Sequence, residues 1–344
     1  MGRLTLLELI LKQRAGAPKL GVKADLSGKT VVVVGANTGI GLEAAKHFAS
    51  MNASKVILAC RNEEKGKKAV VEVEKATGLK NAELWLLDLS RFSSVVNFAD
   101  KFEKEGGRLD ILVMNAGIAT RKYEDMEGWE STLHVNDLST ALCALLLLPR
   151  MLQTSSDFSV QTRLVVVSSG AHFMTLIKED TRSSPSILKK LNDKETNMDG
   201  RYGVSKLLNV FFVRAITARL PSTSPLIATV VNPGYCVSEL QRHTPPGYKP
   251  PSVEHEGKIL EQVPWTAEEG ARQLVWAALG PPNPADVDKV RGAYVSDNEI
   301  TEPSDFVISK EGKECEDRIW DETIDILNEA TPKVKQIVKQ YLSA

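Results

Sequence analysis

The sequence predicts an α/β fold: a doubly wound parallel sheet in three layers, α/β/α, forming a single domain. Three observations lead there. Short β-branched runs alternate with amphipathic helical segments from residue 30 to residue 232, an order that implies parallel strands with helices on both faces. The first run, 30–35 (TVVVVG), is continuously apolar, as expected of a strand buried on both sides. No linker rich in Gly, Ser or Pro divides the 344 residues.

Taken in order, the strand at 30–35 leads to a helix over 43–50 and a second strand over 55–60. A charged amphipathic helix covers 63–77, and the third strand covers 83–88. A helix over 92–105 precedes the fourth strand, 111–115. A long helix over 129–152 precedes the fifth strand, 164–168. The helix over 202–220 leads to the sixth strand, 227–232. Two stretches break this rhythm. Residues 178–200 are polar and charged and separate the fifth strand from its helix. Residues 235–265 are rich in Pro and Gly without a clear period, and a segment of that length reads as a lid or binding loop. The expected organisation is an N-terminal helical extension (1–25), a catalytic body (26–300) and a C-terminal helical extension (301–344) packed on that body.

Composition narrows the function class. The net charge is -1, with 42% apolar and 25% charged residues, and no basic face suggests a nucleic-acid partner. Cys60, Cys143, Cys236 and Cys315 are far apart, and the five histidines show no i, i+4 pair, so no metal site is expected. A reducing, cytoplasmic setting is the simplest expectation. The apolar stretch 4–11 is interrupted by Thr5 and Glu8 and closed by Lys12. It is too short to span a bilayer and lacks a signal-peptide cleavage site. Gly2 suggests myristoylation, but Leu6 stands where Ser or Thr is needed. An amphipathic helix docked on the body is therefore expected, with membrane-surface contact as the alternative.

The chemistry begins at Gly35-Ala36-Asn37-Thr38-Gly39-Ile40-Gly41, between the first strand and the first helix. Glycines there let the backbone turn sharply and approach a pyrophosphate, which the helix N-terminus then faces with free N–H groups. Alone, such a turn is weak evidence; its position after a buried strand gives it weight. Tyr202 and Lys206 lie four apart on a predicted helix and share one face, although that spacing by itself is common. An ammonium beside a phenol favours the phenolate and brings its pKa toward the working range.

The G-x-x-x-G-x-G spacing resembles that of the short-chain dehydrogenase/reductase family, whose fold is of the Rossmann type, and the resemblance extends from about residue 30 to residue 295. Asp88-Leu89 resembles the family's adenine-contacting pair, and Asn115-Ala116-Gly117 its N-A-G motif. Ser169, before Gly170-Ala171, corresponds to the catalytic serine. Tyr202 and Lys206 correspond to the catalytic pair, both also touching the cofactor. Asn136 corresponds to the fourth member, which holds a water in the proton relay. Asn232-Pro233-Gly234 matches the turn beside the nicotinamide carboxamide, with Val237 and Ser238 after it. A Thr is common in the family where Ser238 stands. Ser169 and Tyr202 are farther apart in sequence than in most relatives, and the insertion 178–200 could cover the active-site mouth.

The second strand ends in Cys60-Arg61-Asn62, with no acid before Glu63. An acid there would bind the ribose 2′-OH and repel a 2′-phosphate, whereas Arg61 can pair with phosphate, so NADP(H) is expected over NAD(H). Ala59-Cys60-Arg61, Ser168-Ser169-Gly170-Ala171-His172 and the Trp320 tail are most similar to the retinol-dehydrogenase-like branch, including fungal members of secondary metabolism. That branch implies a bulky, apolar carbonyl or alcohol substrate, for which His172, Phe173, Met174 and Tyr235 could line a pocket. The resulting expectation is a carbonyl reductase interconverting ketone or aldehyde and alcohol. A non-catalytic dinucleotide-sensing scaffold would usually lack Tyr or Lys, and a membrane-associated retinoid enzyme would need a spanning segment. Relatives often form homodimers through their two long central helices, which the C-terminal helices here could hinder.

Overall fold

The apolar runs pair into one sheet in the computed structural model, which describes residues 5–195, 198–241 and 251–342. Its strands are β1 (Thr30–Val34), β2 (Lys55–Cys60), β3 (Ala82–Leu86), β4 (Ile111–Met114), β5 (Thr162–Val167), β6 (Leu226–Val231), β7 (Tyr294–Ser296) and β8 (Glu299–Thr301). They lie in the order β8-β7-β6-β5-β4-β1-β2-β3. All neighbours are parallel except the edge pair β7–β8. The six expected strands form within two residues of their expected ends. β7 and β8, of three residues each, are too short to show a period in the sequence.

The helices are α1 (Leu6–Arg14), α2 (Gly39–Ser50), α3 (Glu63–Thr77), α4 (Phe92–Lys101), α5 (Ser131–Phe158), α6 (Arg201–Arg219), α7 (Ala267–Leu279), α8 (Lys310–Ala330) and α9 (Lys333–Tyr341). β1 explains the layering. Val31 and Val33 face one apolar cluster with Phe48 of α2, Val73 of α3 and Leu274 of α7. Val32 and Val34 face the other, with Phe98 of α4, Leu142 of α5 and Phe211 of α6. Strand alternation thus places a core on each side of the sheet, and the fold is a Rossmann-type α/β/α sandwich.

Several elements differ from expectation for local reasons. α2 starts at Gly39, four residues early, because the glycine turn itself enters the helix. The helix from Phe92 passes into a π-helical turn at Phe102–Gly106. α5 runs on to Phe158 and starts at Ser131, where the Glu130 carboxylate accepts from Thr132 N at 2.7 Å and Leu133 N at 3.2 Å. This is N-capping by an acid at the positive end of the helix dipole. α5 is long and apolar enough to cross a membrane, but 78% of its apolar window is buried inside the molecule, which marks it as a core helix.

The insertion 178–200 holds two short helices, Glu179–Arg182 and Ile187–Leu191. The second is tied to α8: Glu322 accepts from the N–H groups of Ile187 and Leu188, each at 2.8 Å. In the expected lid, Ser252–His255 and Lys258–Glu261 pair as a hairpin whose tip residues Glu256 and Gly257 both take positive φ, the type I′ pattern. Residues 242–250 of that lid, and 196–197 of the insertion, lie outside the described residues.

The C-terminal helices pack on the two long central helices, α8 on α6 and α9 on α5. Trp320 stacks on Phe212 with centroids 6.2 Å apart, and Arg214 pairs with the buried Glu316 at 2.8 Å. The chain's own tail therefore covers parts of α5 and α6.

Candidate active site

A cavity of about 740 Å³ opens at the C-terminal ends of β1, β2, β4, β5 and β6. Strand order reverses between β1 and β4, and ligands of doubly wound sheets bind at such a switch point. Gly35, Asn37, Thr38, Gly39, Ile40, Arg61, Asp88, Leu89, Asn115, Ala116, Gly117, Pro233, Gly234 and Ser238 line it together with Ser169, Tyr202 and Lys206.

The glycine turn is a cradle that side chains would fill. Gly35 has φ of 81°, and a Cβ there would lie 2.8 Å from Ala116 Cα. Gly41 does not line the cavity, but a Cβ on it would lie 2.4 Å from Gly35 O and 2.5 Å from Asn115 Nδ2. Asn115 Nδ2 in turn donates to Gly35 O at 3.1 Å and Val34 O at 3.3 Å. The N-A-G segment therefore braces the turn from below, and the N-terminus of α2 faces the opening. This geometry fits a dinucleotide pyrophosphate. Arg61 stands exposed at the end of β2, on the cavity wall with Asp88.

At the other end, Ser169 caps the short helix Gly170–Met174, its Oγ accepting from Ala171 N at 3.2 Å. Burial pushes the Tyr202 phenol up to about 12, and the neighbouring Ser169 side chain opposes the rise. Lys206 is buried, its Nζ donating to Val167 O at 2.8 Å and to Asn209 Oδ1 at 3.1 Å. Nζ stands 5.7 Å from the Tyr202 ring centroid. Burial lowers Lys206 to about 8, while the buried Asp137 carboxylate pulls it upward.

Asn136 lies in the π-helical turn His134–Leu138 that opens α5, a distortion frequent at functional sites. Its Oδ1 accepts from Ile118 N and its Nδ2 donates to Ile118 O, both at 2.8 Å, which fixes the loop after Gly117. Its backbone carbonyl accepts from Asn209 Nδ2 at 2.7 Å. The side chain of Asn209 thereby links the Asn136 carbonyl to Lys206.

Some expected residues fall elsewhere. Val237 is 63% exposed and off the cavity wall, and its N–H donates to Trp265 O at 2.8 Å, so that donor is already engaged. His172 and Phe173 are buried against Tyr294 rather than lining the pocket. The His172 Nδ1–H faces Ser169 O at 2.8 Å, and its Nε2 accepts from Ser304 N at 3.2 Å. Met174 and Tyr235 do line the cavity. Of the insertion expected over the mouth, Met198, Asp199 and Gly200 reach the wall. Sequence reasoning missed Asn209, Asp137 and the cavity-facing residues of α1; for Asn209 the available signal was an amide one turn beyond Lys206 on the same helix.

A family model for short chain dehydrogenases matches residues 29–180. Over 317 residues the chain is 38% identical to the short chain dehydrogenase/reductase dmxR8 of Cryptosporiopsis sp., covering 90% of this chain and 94% of that one. It is 35% identical to the short chain dehydrogenase sol3 of Alternaria solani, over 86% of this chain and 98% of that one. Among solved structures, an oxidoreductase from E. coli, yciK, superposes with a TM-score of 0.57 at 21% identity, covering 82% of this chain and 98% of its own, a likeness of fold. Sequence and fold agree: this chain belongs to the short-chain dehydrogenase/reductase family, an oxidoreductase family that uses nicotinamide dinucleotides, and it is of the fungal type.

Proposed function

We propose that the protein is an NADP(H)-dependent reductase converting a ketone or aldehyde on a small, largely apolar molecule to the alcohol, in the manner of fungal secondary-metabolite enzymes. The observation that carries this reading is that Ser169, Tyr202 and Lys206 meet on the wall of the same cavity as the glycine turn. NADPH, when bound, supplies the hydride. Ser169 and Tyr202 then orient the substrate carbonyl by hydrogen bonds to its oxygen. As negative charge develops on that oxygen, Tyr202 donates its proton. Burial keeps the phenol protonated at neutral pH, which suits a proton donor. Lys206, held by Val167 O and Asn209, carries the positive charge that stabilises the resulting phenolate.

Arg61 supports NADP(H) over NAD(H), since a guanidinium pairs with the 2′-phosphate and no carboxylate precedes it on β2 to repel one. The cavity end beyond Ser169 offers Met174, Leu6 and Leu9 to an apolar substrate. The test is NADPH and NADH oxidation by purified protein against ketones, aldehydes and terpenoid or polyketide carbonyls. Consumption favouring NADPH on apolar carbonyls is expected. NADPH binding without consumption across the panel would favour a dinucleotide-binding scaffold instead.

A further inference from the structure

The N-terminal helix α1 forms one wall of the cavity. Thr5 caps it, its Oγ1 accepting from Glu8 N at 3.2 Å while Glu8 reaches back to Thr5 N at 2.6 Å, so the helix is well defined at its start. Two anchors hold it down. Ile10 is fully buried, and the Gln13 side chain makes a two-pronged bond to one backbone unit, donating to Tyr235 O at 2.9 Å and accepting from Tyr235 N at 3.0 Å. Trp265 Nε1 donates to Gln13 O at 2.9 Å. Gln13 thus clamps α1 to Tyr235 and Trp265, just after Pro233-Gly234.

α1 presents Leu6 and Leu9 to the cavity from its first half, and Lys12 and Gln13 from its second. A Cβ on Gly170 would lie 3.1 Å from Leu9 Cδ2. Leu9 therefore lies over the backbone next to Ser169. Resting on the reductase reading, we propose that Leu6 and Leu9 contact the substrate and select carbonyl compounds bearing an extended apolar chain or ring, and that Gln13 is the positioning residue that holds this wall against Tyr235. An apolar portion of the substrate leaves water when it packs between these leucines and Met174, and the gain grows with the area covered.

The full-length protein tests this with NADPH and a series of 2-butanone, 2-octanone and 2-dodecanone. For the wild type, kcat/KM should rise with chain length. The double variant Leu6→Ser/Leu9→Ser should lose about ten-fold or more on 2-dodecanone while staying within about two-fold on 2-butanone and in NADPH affinity. Leu9→Trp, which keeps the helix apolar and fills the space, should give the same selective loss, and it decides the matter if the serine variant melts early. Equal losses at all chain lengths, or none, would overturn the proposal. If the wild type reduces neither these ketones nor any carbonyl of the wider panel, the reductase reading fails, and Nile red binding to the NADPH-loaded protein judges the wall separately. Weakening by about five-fold or more in the double variant supports it, and unchanged affinity refutes it.

Discussion

The side chain of Asn209 joins Lys206 to Asn136: its Oδ1 accepts from Lys206 Nζ at 3.1 Å, and its Nδ2 donates to the Asn136 carbonyl at 2.7 Å. The amide bridge engages one of the three ammonium protons, and Val167 O takes another. Asn209→Leu keeps the shape and removes both bonds. A hydrogen bond to a buried charge contributes about 1.5–3 kcal/mol, so kcat should fall about 10- to 100-fold. The alkaline limb of the kcat–pH profile should also move to lower pH, because Lys206 loses a group that favours its charged form. Asn209→Asp, which supplies an acceptor carrying negative charge, should move that limb the other way. A purely structural role would leave both limbs in place.

The proposed preference for NADP(H) rests on Arg61, on the cavity wall at the end of β2. Arg61→Asp replaces a phosphate partner by an acceptor for the 2′-hydroxyl. The ratio of kcat/KM for NADPH over NADH should fall by about 100-fold or more, reflecting loss of a charge-assisted pair and the new repulsion. Steady-state kinetics with both cofactors at one ionic strength measures this, and an unchanged ratio would remove Arg61 from the assignment.

His172 makes the fold acid-sensitive. Burial lowers its imidazole from 6.5 to about 4, the bond to Ser169 O opposing this in part. The folded state therefore holds the ring neutral, and the unfolded state binds a proton first as pH falls. Stability is full above pH 6.5 and is lost as pH drops toward 4, by about 3 kcal/mol from this residue. Burial lowers His134 as well, so the comparison must be with a variant. In urea titrations, His172→Gln should lose less stability than wild type between pH 7 and pH 4.5. Parallel losses would show that His172 does not carry the effect.

Much of this architecture was legible from residue order. The run Val31–Val34 with a glycine turn after it identified both the central strand and the dinucleotide end, because burial on both faces demands a continuous apolar strand. Tyr202 and Lys206 gained meaning from their place on α6, where helical spacing turns both toward one cavity. What stayed hidden depended on contacts distant in sequence. β7 and β8 exist because Tyr294 and Val295 pair with Val230 and Val231 across the sheet, and three residues show no period. The two-pronged bond between Gln13 and Tyr235 spans 222 positions. His172 looked like a pocket residue because it follows Ser169, but the short helix after Ser169 turns it toward Tyr294 and Ser304.

The account rests most heavily on proton donation by Tyr202, and its most direct test is Tyr202→Phe, measured for turnover and for NADPH affinity on the same preparation. The ring is retained while the hydroxyl beside Ser169 is lost. Turnover should fall by about 1,000-fold or more, within the range for loss of a positioned general acid, with the NADPH Kd changed by no more than about three-fold. A variant that turns over carbonyl substrate at a rate close to wild type would contradict the mechanism.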